Sequence, residues 1–316
     1  MRKLGVTFSP LNDERKDRIE RVAKDFEIIY THDQDERLKD CEVVFGAMDP
    51  KLVSESNTLK WLHVQWAGVE HVLKSAYGFP ADVILTNSSG SYGVTISEYL
   101  LTVGLMLMRH MEKYVLQQQQ RVWQRLEKEK SIYGSTICIL GLGDIGREYA
   151  MRVKAMGAAK VVGVVRTIKE KPSFVDELYT TADVEKAVKG ADVVAICLPG
   201  TKETFGLVDE ALIQKMKKGV IILNIGRGKV IDTPALIAAL QSGQVGAAGL
   251  DVTDPEPLPA DSPLWLMSNV MITPHVSGNN TLETTNDLGV EKFVQYMDDY
   301  VNGRKFNRVV DQELGY

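Results

Sequence analysis

Three glycines constrain this 316-residue chain more than any other feature: Gly141, Gly143 and Gly146 stand in G-x-G-x-x-G spacing within STICILGLGDIGREYAMRV. An apolar, strand-like run precedes them and a helical pattern follows. In that setting the first glycine permits a tight strand-to-helix turn, the second lets backbone approach a pyrophosphate, and the third lets helix and strand pack closely. The helix N-terminus adds N–H groups and a partial positive charge. The spacing alone is weak, and its bland reading is a glycine-rich turn. Strand, glycines, helix and second strand in that order point to a dinucleotide-binding unit.

Such a unit accounts for only part of the chain. A chain of this length exceeds one core of about 150 residues and suits two. Apolar runs at KLGVTFS, FEIIYT, CEVVFGA, LKWLHVQWAG and VILTN precede residue 90, and a denser series follows from STICILGLG to NVMITPH. Helical patterns separate most of them, which is the α/β arrangement, and near-continuous apolar runs suit strands covered on both faces. Residues from Thr95 to about Arg125, free of Pro and with only Gly104 inside, predict one long helix; 281–303 predict another. The expected architecture is therefore two doubly wound α/β domains. A Rossmann dinucleotide-binding domain over 103–283 is inserted into a flavodoxin-like substrate domain built from 1–102 and 284–316.

Composition narrows the function classes. Hydrophobic residues at 44% and charged residues at 25% suit a packed globular protein. The net charge of -5 is not gathered into blocks, so neither a nucleic-acid surface nor a membrane-surface helix is expected. MRKLGVTFSP carries no apolar leader, no run approaches the roughly 18 residues of a membrane span, and a cytoplasmic location is expected. Cys41, Cys138 and Cys197 lie far apart and are expected to be buried thiols, with no metal site.

About twenty residues past the last glycine, a carboxylate would normally accept the ribose hydroxyls. Val165 stands there, followed by Arg166 and Thr167, with Lys169 and Lys171 behind. Cations at this point suit the 2'-phosphate of NADP, the preferred cofactor on this reading, with NAD still possible; the same charges also suit a solvated loop tip.

Four later segments carry the chemistry: NIGRGKVID around Arg227, GLDVTDPEPLP around Asp251 and Glu256, SPLW ending at Trp265, and TPHVSG around His275. With GLGDIG and LPGTKETFGLVD they resemble, in order from about Ala67 to Gly278, the motif series of the D-isomer-specific 2-hydroxyacid dehydrogenases. The resemblance implies the two-domain architecture, an active site in a cleft, and homodimers formed through the nucleotide domains. Carried over by position, it implies that Arg227, Glu256 and His275 are catalytic. It implies cofactor contacts from Gly141, Gly143, Asp144, Ile145 and Gly146, from Arg166 and Thr167, and from Leu198, Pro199 and Thr204. Ile225, Gly226 and Gly278 belong to the same set, with Asp251 as partner of the nicotinamide carboxamide.

The chemistry explains the residue types. Hydride reaching a keto carbon leaves an alkoxide too basic to accumulate, so a proton donor titrating near neutrality must stand beside that oxygen; His275 is the candidate. A carboxylate at Glu256 favours the imidazolium and orients the ring. Arg227 offers a planar, permanently charged fork to clamp a substrate carboxylate and polarise the keto oxygen. Each has a plainer reading: a structural histidine, a surface arginine in a Gly-Arg-Gly turn, and an exposed turn carboxylate between Pro255 and Pro257.

QWAGVEHVL resembles the family's substrate loop, in which backbone N–H groups around Ala67, Gly68 and Val69 meet the substrate carboxylate. SSGSYGVTISEYLL resembles the stretch leading into the interdomain helix, with Glu98 in the matching position. Tyr92 and Trp66 suit wall packing as well as substrate contact. Within the family, Val165-Arg166-Thr167, the Glu-Tyr pair and PLW are most similar to glyoxylate/hydroxypyruvate reductases, acting on a small 2-keto acid to give a D-2-hydroxy acid. A short phosphoglycerate dehydrogenase is the alternative enzyme, and a non-catalytic cofactor-binding sensor or corepressor is the alternative class.

Overall fold

The computed structural model describes residues 1–126, 128–279 and 281–312. The chain forms two compact units, one from residues 1–92 with the C-terminal segment from Asn279, the other over Gly93–Gly278.

In the first unit, five strands form one parallel sheet: β1 (Arg2–Val6), β2 (Phe26–Tyr30), β3 (Val43–Phe45), β4 (Trp61–Val64) and β5 (Ile84–Asn87). Their order, β2-β1-β3-β4-β5, is the flavodoxin-like one. Strand alternation sends Val43, Phe45 and Trp61 to one core, with Val290 and Phe293, and sends Val44, Leu62 and Leu85 to another, with Val69 and Val72. The Phe45 and Phe293 rings stack at 4.0 Å. The helix Glu283–Val301, which the sequence pattern foresaw over 281–303, returns to this unit. Buried Arg15, on the helix Asp13–Val22, ties it down through Asp287 at 2.9 Å and through Glu283.

Seven parallel strands build the second unit: β6 (Thr136–Leu140), β7 (Lys160–Val165), β8 (Glu177–Thr180), β9 (Val193–Ile196), β10 (Val220–Asn224), β11 (Val245–Leu250) and β12 (Val270–Ile272). Their order is β12-β11-β10-β9-β6-β7-β8. This is the doubly wound dinucleotide-binding topology with one added edge strand, and its switch point lies between β6 and β9. The register sets Val164, Leu140, Ile196, Asn224, Leu250 and Ile272 in one row across six strands.

The single long helix expected from Thr95 to about Arg125 is instead two, Gly93–Met108 and Met111–Gln120. His110 takes a left-handed φ of 54° between them. The first helix buries Leu100, Val103 and Leu107 and packs on β10 and β11, whereas the second buries no residue at all. Helix propensity continues across the break, but burial does not: the apolar residues of the second helix stay exposed, so nothing holds it in line with the first against the sheet. The units divide at 92/93 and 278/279, where 102/103 and 283/284 were expected; the first boundary lies earlier because the helix Gly93–Met108 is a continuous rod belonging wholly to the second unit.

Candidate active site

Every candidate residue of the second unit follows the carboxyl end of a strand. Beyond the row Val164–Leu140–Ile196–Asn224–Leu250–Ile272 come, strand by strand, Arg166, Gly141, Leu198, Arg227, Asp251 and His275. Ligands of open α/β sheets bind on this edge, beside the switch point.

The glycine turn after β6 divides its labour. A Cβ at Gly146 would lie 1.9 Å from the Gly141 carbonyl oxygen, and Gly141 itself has a φ of 100° with the Cys197 carbonyl oxygen 2.8 Å from a Cβ. Those two glycines serve the protein's own packing. Gly143 is different: nothing lies within 4 Å of a Cβ there, and it caps the helix Asp144–Ala155. An open backbone surface at a twelve-residue helix N-terminus fits a pyrophosphate. Ile145 is half-buried in the first turn, and Asp144 faces the start of the helix Gly93–Met108, its Oδ1 lying 2.4 Å from where a Gly93 Cβ would stand.

Arg166 and Thr167 are exposed at the end of β7. Hydrogen bonding to Thr201 and to its own backbone holds the Glu203 carboxyl below the usual range, with help from the Arg166 and Lys202 charges. Lys171 is committed elsewhere, donating to the Val175 carbonyl at 2.7 Å. After β9, Leu198 is buried and Pro199 exposed. The buried Thr204 hydroxyl donates to the Pro199 carbonyl at 2.6 Å and accepts from Thr201 N–H at 2.8 Å, so it braces this loop.

Past β10, Ile225 and Gly226 are buried and Arg227 half-buried. The turn is shaped by Asn224, 1% exposed, whose Oδ1 accepts from Gly226 N–H at 3.1 Å and whose amide donates to the Arg227 carbonyl at 3.1 Å. Asn224 was not singled out in the sequence, although an Asn ending an all-apolar strand is a signal, because a buried amide must find partners. His275 follows β12 by three residues, as Arg227 follows β10, so the two stand two strands apart along the same sheet edge.

The structure brings His275 and Glu256 together, Nδ1 to Oε1 at 3.0 Å. Their side chains remain 51% and 41% exposed. With Nδ1–H donating to the carboxylate, Nε2 is the ring nitrogen left for chemistry. Asp251 is nearly fully buried, and its Oδ1 accepts from the Thr273 hydroxyl at 2.7 Å and Val276 N–H at 2.9 Å; its Oδ2 accepts from Ser277 N–H at 3.0 Å. Its carbonyl accepts from His275 N–H at 2.9 Å. The carboxylate expected to meet a carboxamide thus also shapes the histidine's loop, which ends at half-buried Gly278.

In the first unit, the loop after β4 leaves Ala67 exposed and Gly68 half-buried, while Val69 is anchored in the core. Three bonds fix its path: buried Asn87 donates to the Ala67 carbonyl at 2.6 Å, Ser88 N–H to the Trp66 carbonyl at 3.1 Å, and the Tyr92 hydroxyl to the Gln65 carbonyl at 2.6 Å. Tyr92 is thereby a loop clamp. All three cysteines are free thiols, and burial pushes Cys41 up to about 11 and both Cys138 and Cys197 up to about 12. Among the described residues, no helix is long and apolar enough to cross a membrane.

Comparison with known proteins agrees with this geometry. Residues 101–277 match the sequence profile of the D-isomer specific 2-hydroxyacid dehydrogenase NAD binding domain. Glyoxylate/hydroxypyruvate reductase A of Yersinia enterocolitica is 32% identical over 266 residues, which cover 82% of this chain and 82% of that one. D-3-phosphoglycerate dehydrogenase of Archaeoglobus fulgidus is 27% identical over 92% of this chain, but only 52% of its own length is spanned. A solved NADPH-dependent glyoxylate/hydroxypyruvate reductase from Sinorhizobium meliloti, in complex with NADP and sulfate, superposes with a TM-score of 0.84 at 27% identity over all of both chains.

Proposed function

The chain belongs to the D-isomer specific 2-hydroxyacid dehydrogenases, NAD(P)-dependent oxidoreductases, and on that premise we propose that it reduces glyoxylate or hydroxypyruvate, preferring NADPH and using Arg227, Glu256 and His275. The observation that carries the reading is the His275–Glu256 contact at 3.0 Å on the sheet edge that also bears the open glycine turn.

Arg227 binds the substrate carboxylate through its guanidinium fork and draws electron density from the keto oxygen. By resemblance to the family's substrate loop, backbone N–H groups around Ala67, Gly68 and Val69 are assigned to the substrate carboxylate as well. A nicotinamide held on this edge would supply the hydride. His275 gives the proton on Nε2 to the keto oxygen, and Glu256 holds the ring by accepting the Nδ1 hydrogen. In the oxidative direction the neutral ring takes the hydroxyl proton back. Gly143 and the helix behind it receive the pyrophosphate, and Arg166 the 2'-phosphate.

The helix Met111–Gln120 and the segment after it expose Met111, Val115, Leu116, Val122 and Trp123. A second copy of this chain is the partner assigned to that apolar face, giving a homodimer. The working location is the cytoplasm.

A panel of keto acids with NADPH and NADH in parallel tests the reading, followed by loss of reduced-nicotinamide absorbance. Faster turnover of glyoxylate or hydroxypyruvate with NADPH is expected. Preference for phosphohydroxypyruvate would favour a phosphoglycerate dehydrogenase, and binding of cofactor with no turnover of any keto acid would favour a sensor.

A further inference from the structure

We propose that Tyr99 is a positioning residue for the proton donor, fixing the His275 loop through Thr273 and Asp251. The inference rests on the assignment of His275 as proton donor. Tyr99 lies on the helix Gly93–Met108, 174 residues from Thr273, and its hydroxyl is hydrogen-bonded to the Thr273 hydroxyl oxygen.

Counting hydrogens gives that contact a direction. The Thr273 hydroxyl has one hydrogen, and Asp251 Oδ1, 2.7 Å away, takes it. Tyr99 must therefore donate to Thr273. The chain runs from Tyr99 to Thr273 to Asp251, and Asp251 in turn collects Val276 N–H, Ser277 N–H and, at its carbonyl, His275 N–H. Three consecutive residues, with the histidine first, are thus held by one buried residue whose carboxylate is steadied from the helix.

The loop needs such holding. His275 sits at a φ of 53°, a left-handed conformation that costs a residue with a Cβ roughly 1–2 kcal/mol. That conformation persists only where surrounding bonds over-determine it. Glu256 alone is a weak fixture, because both partners of the pair stand about half in solvent. The Tyr99 hydroxyl is pushed up to about 12, by burial first and also by the Asp251 charge, against the lowering effect of the Thr273 bond, so it stays a donor across the working range.

Removing only the hydroxyl, in Tyr99→Phe, is expected to lower kcat for keto-acid reduction about tenfold, since small misplacements of a reacting group carry penalties of that order. KM for NADPH should change by less than kcat does, since the pyrophosphate and 2'-phosphate contacts lie elsewhere. The solvent isotope effect on kcat should rise, because proton transfer from a misaligned ring becomes slower. Thr273→Val should reproduce this, the double variant should be no worse than Thr273→Val alone, and Thr273→Ser should restore the rate. A purely structural tyrosine would lower Tm and leave kcat and the isotope effect alone. That result, or additive losses in the double variant, overturns the proposal. Should Tyr99→Phe fail to fold, the Val and Ser variants of Thr273 decide by the same readouts. A His275→Ala enzyme that keeps its rate removes the premise and the inference with it, an outcome distinct from an unchanged Tyr99→Phe rate in an enzyme that needs His275.

Discussion

Glu256 Oε1 meets His275 Nδ1 at 3.0 Å while both side chains stay about half in solvent. An ion pair so exposed contributes about 0.2–1 kcal/mol to stability at best, because water and salt screen it. Its value must lie in which nitrogen of the ring it leaves free.

Glu256→Gln is therefore expected to separate activity from stability. A carboxylate can only accept from Nδ1–H, whereas a carboxamide can also turn its NH2 to the ring and a neutral bond holds it less firmly, so kcat for reduction should fall by about tenfold or more while Tm shifts by little. His275→Ala, which removes the donor itself, should cost about 10²–10⁴-fold in kcat and leave NADPH affinity intact. Steady-state kinetics beside a thermal melt check both. A Glu256→Gln enzyme with wild-type kcat would show that the carboxylate is a turn residue only.

Much of this site was legible because it is local in sequence. Glycines at 141, 143 and 146, the strand before them and the segments around Arg227, Asp251 and His275 each announce themselves within ten residues, and parallel topology carries them to one edge. What was not legible is long-range pairing of polar side chains. Nothing in SEYLL points to Thr273, and nothing in QWAG points to Asn87, because a hydrogen bond between distant segments leaves no period in the sequence. The broken helix escaped for a related reason: propensity runs on through Arg109 and His110, and only tertiary packing says where the rod must leave the sheet.

Cofactor choice is expected to turn on Arg166, exposed one residue past β7. A charge-assisted bond to a 2'-phosphate is worth about 1.5–3 kcal/mol, or roughly 10–150-fold. Arg166→Asp replaces that attraction with repulsion and offers a carboxylate to a bare ribose, so the ratio of kcat/KM for NADPH over NADH should drop at least about tenfold. An unaltered ratio would mean that the arginine faces solvent and no phosphate.

Acid stability is expected to depend on His63, fully buried in the first unit. Trp61 Nε1–H donates to Thr86 Oγ1 at 2.7 Å, leaving the Thr86 hydroxyl to donate to His63 Nδ1 at 2.7 Å; the ring's Nε2–H then donates to Ser88 Oγ at 3.2 Å. A neutral ring completes this network. Burial, aided by the Lys292 charge, lowers its pKa to about 3. Between about pH 6.5 and 3 the unfolded chain therefore binds a proton that the folded protein refuses, and stability falls as pH falls, by up to about 1.4 kcal/mol per unit. His71, also lowered by burial, acts in the same direction, whereas Glu42, lowered to about 2 chiefly by its bond to Arg2, loses its contribution only below the ordinary carboxylate range. Urea melts from pH 6.5 to 4.5 should show a shallower slope in His63→Gln than in the wild type. Equal slopes would place the proton uptake elsewhere.

The apolar face beyond the helix break is expected to hold the proposed homodimer together, and Trp123 is its most exposed member at 103%. Covering an indole removes about 150–250 Å² from water, a gross gain of roughly 4–6 kcal/mol before the losses of association are subtracted. Tryptophan is also among the residues that most often dominate interfaces. Its loss should disturb no packing among the described residues, since its side chain is fully exposed. Trp123→Glu should therefore lower the mass in solution from about twice 35.1 kDa towards the single-chain value at low micromolar concentration, with folding of the second unit's sheet retained. Sedimentation of wild type and variant over a concentration series reads this directly. A wild-type protein that sediments as one chain throughout, or a Trp123→Glu protein that remains dimeric at high dilution, would take this face out of the interface.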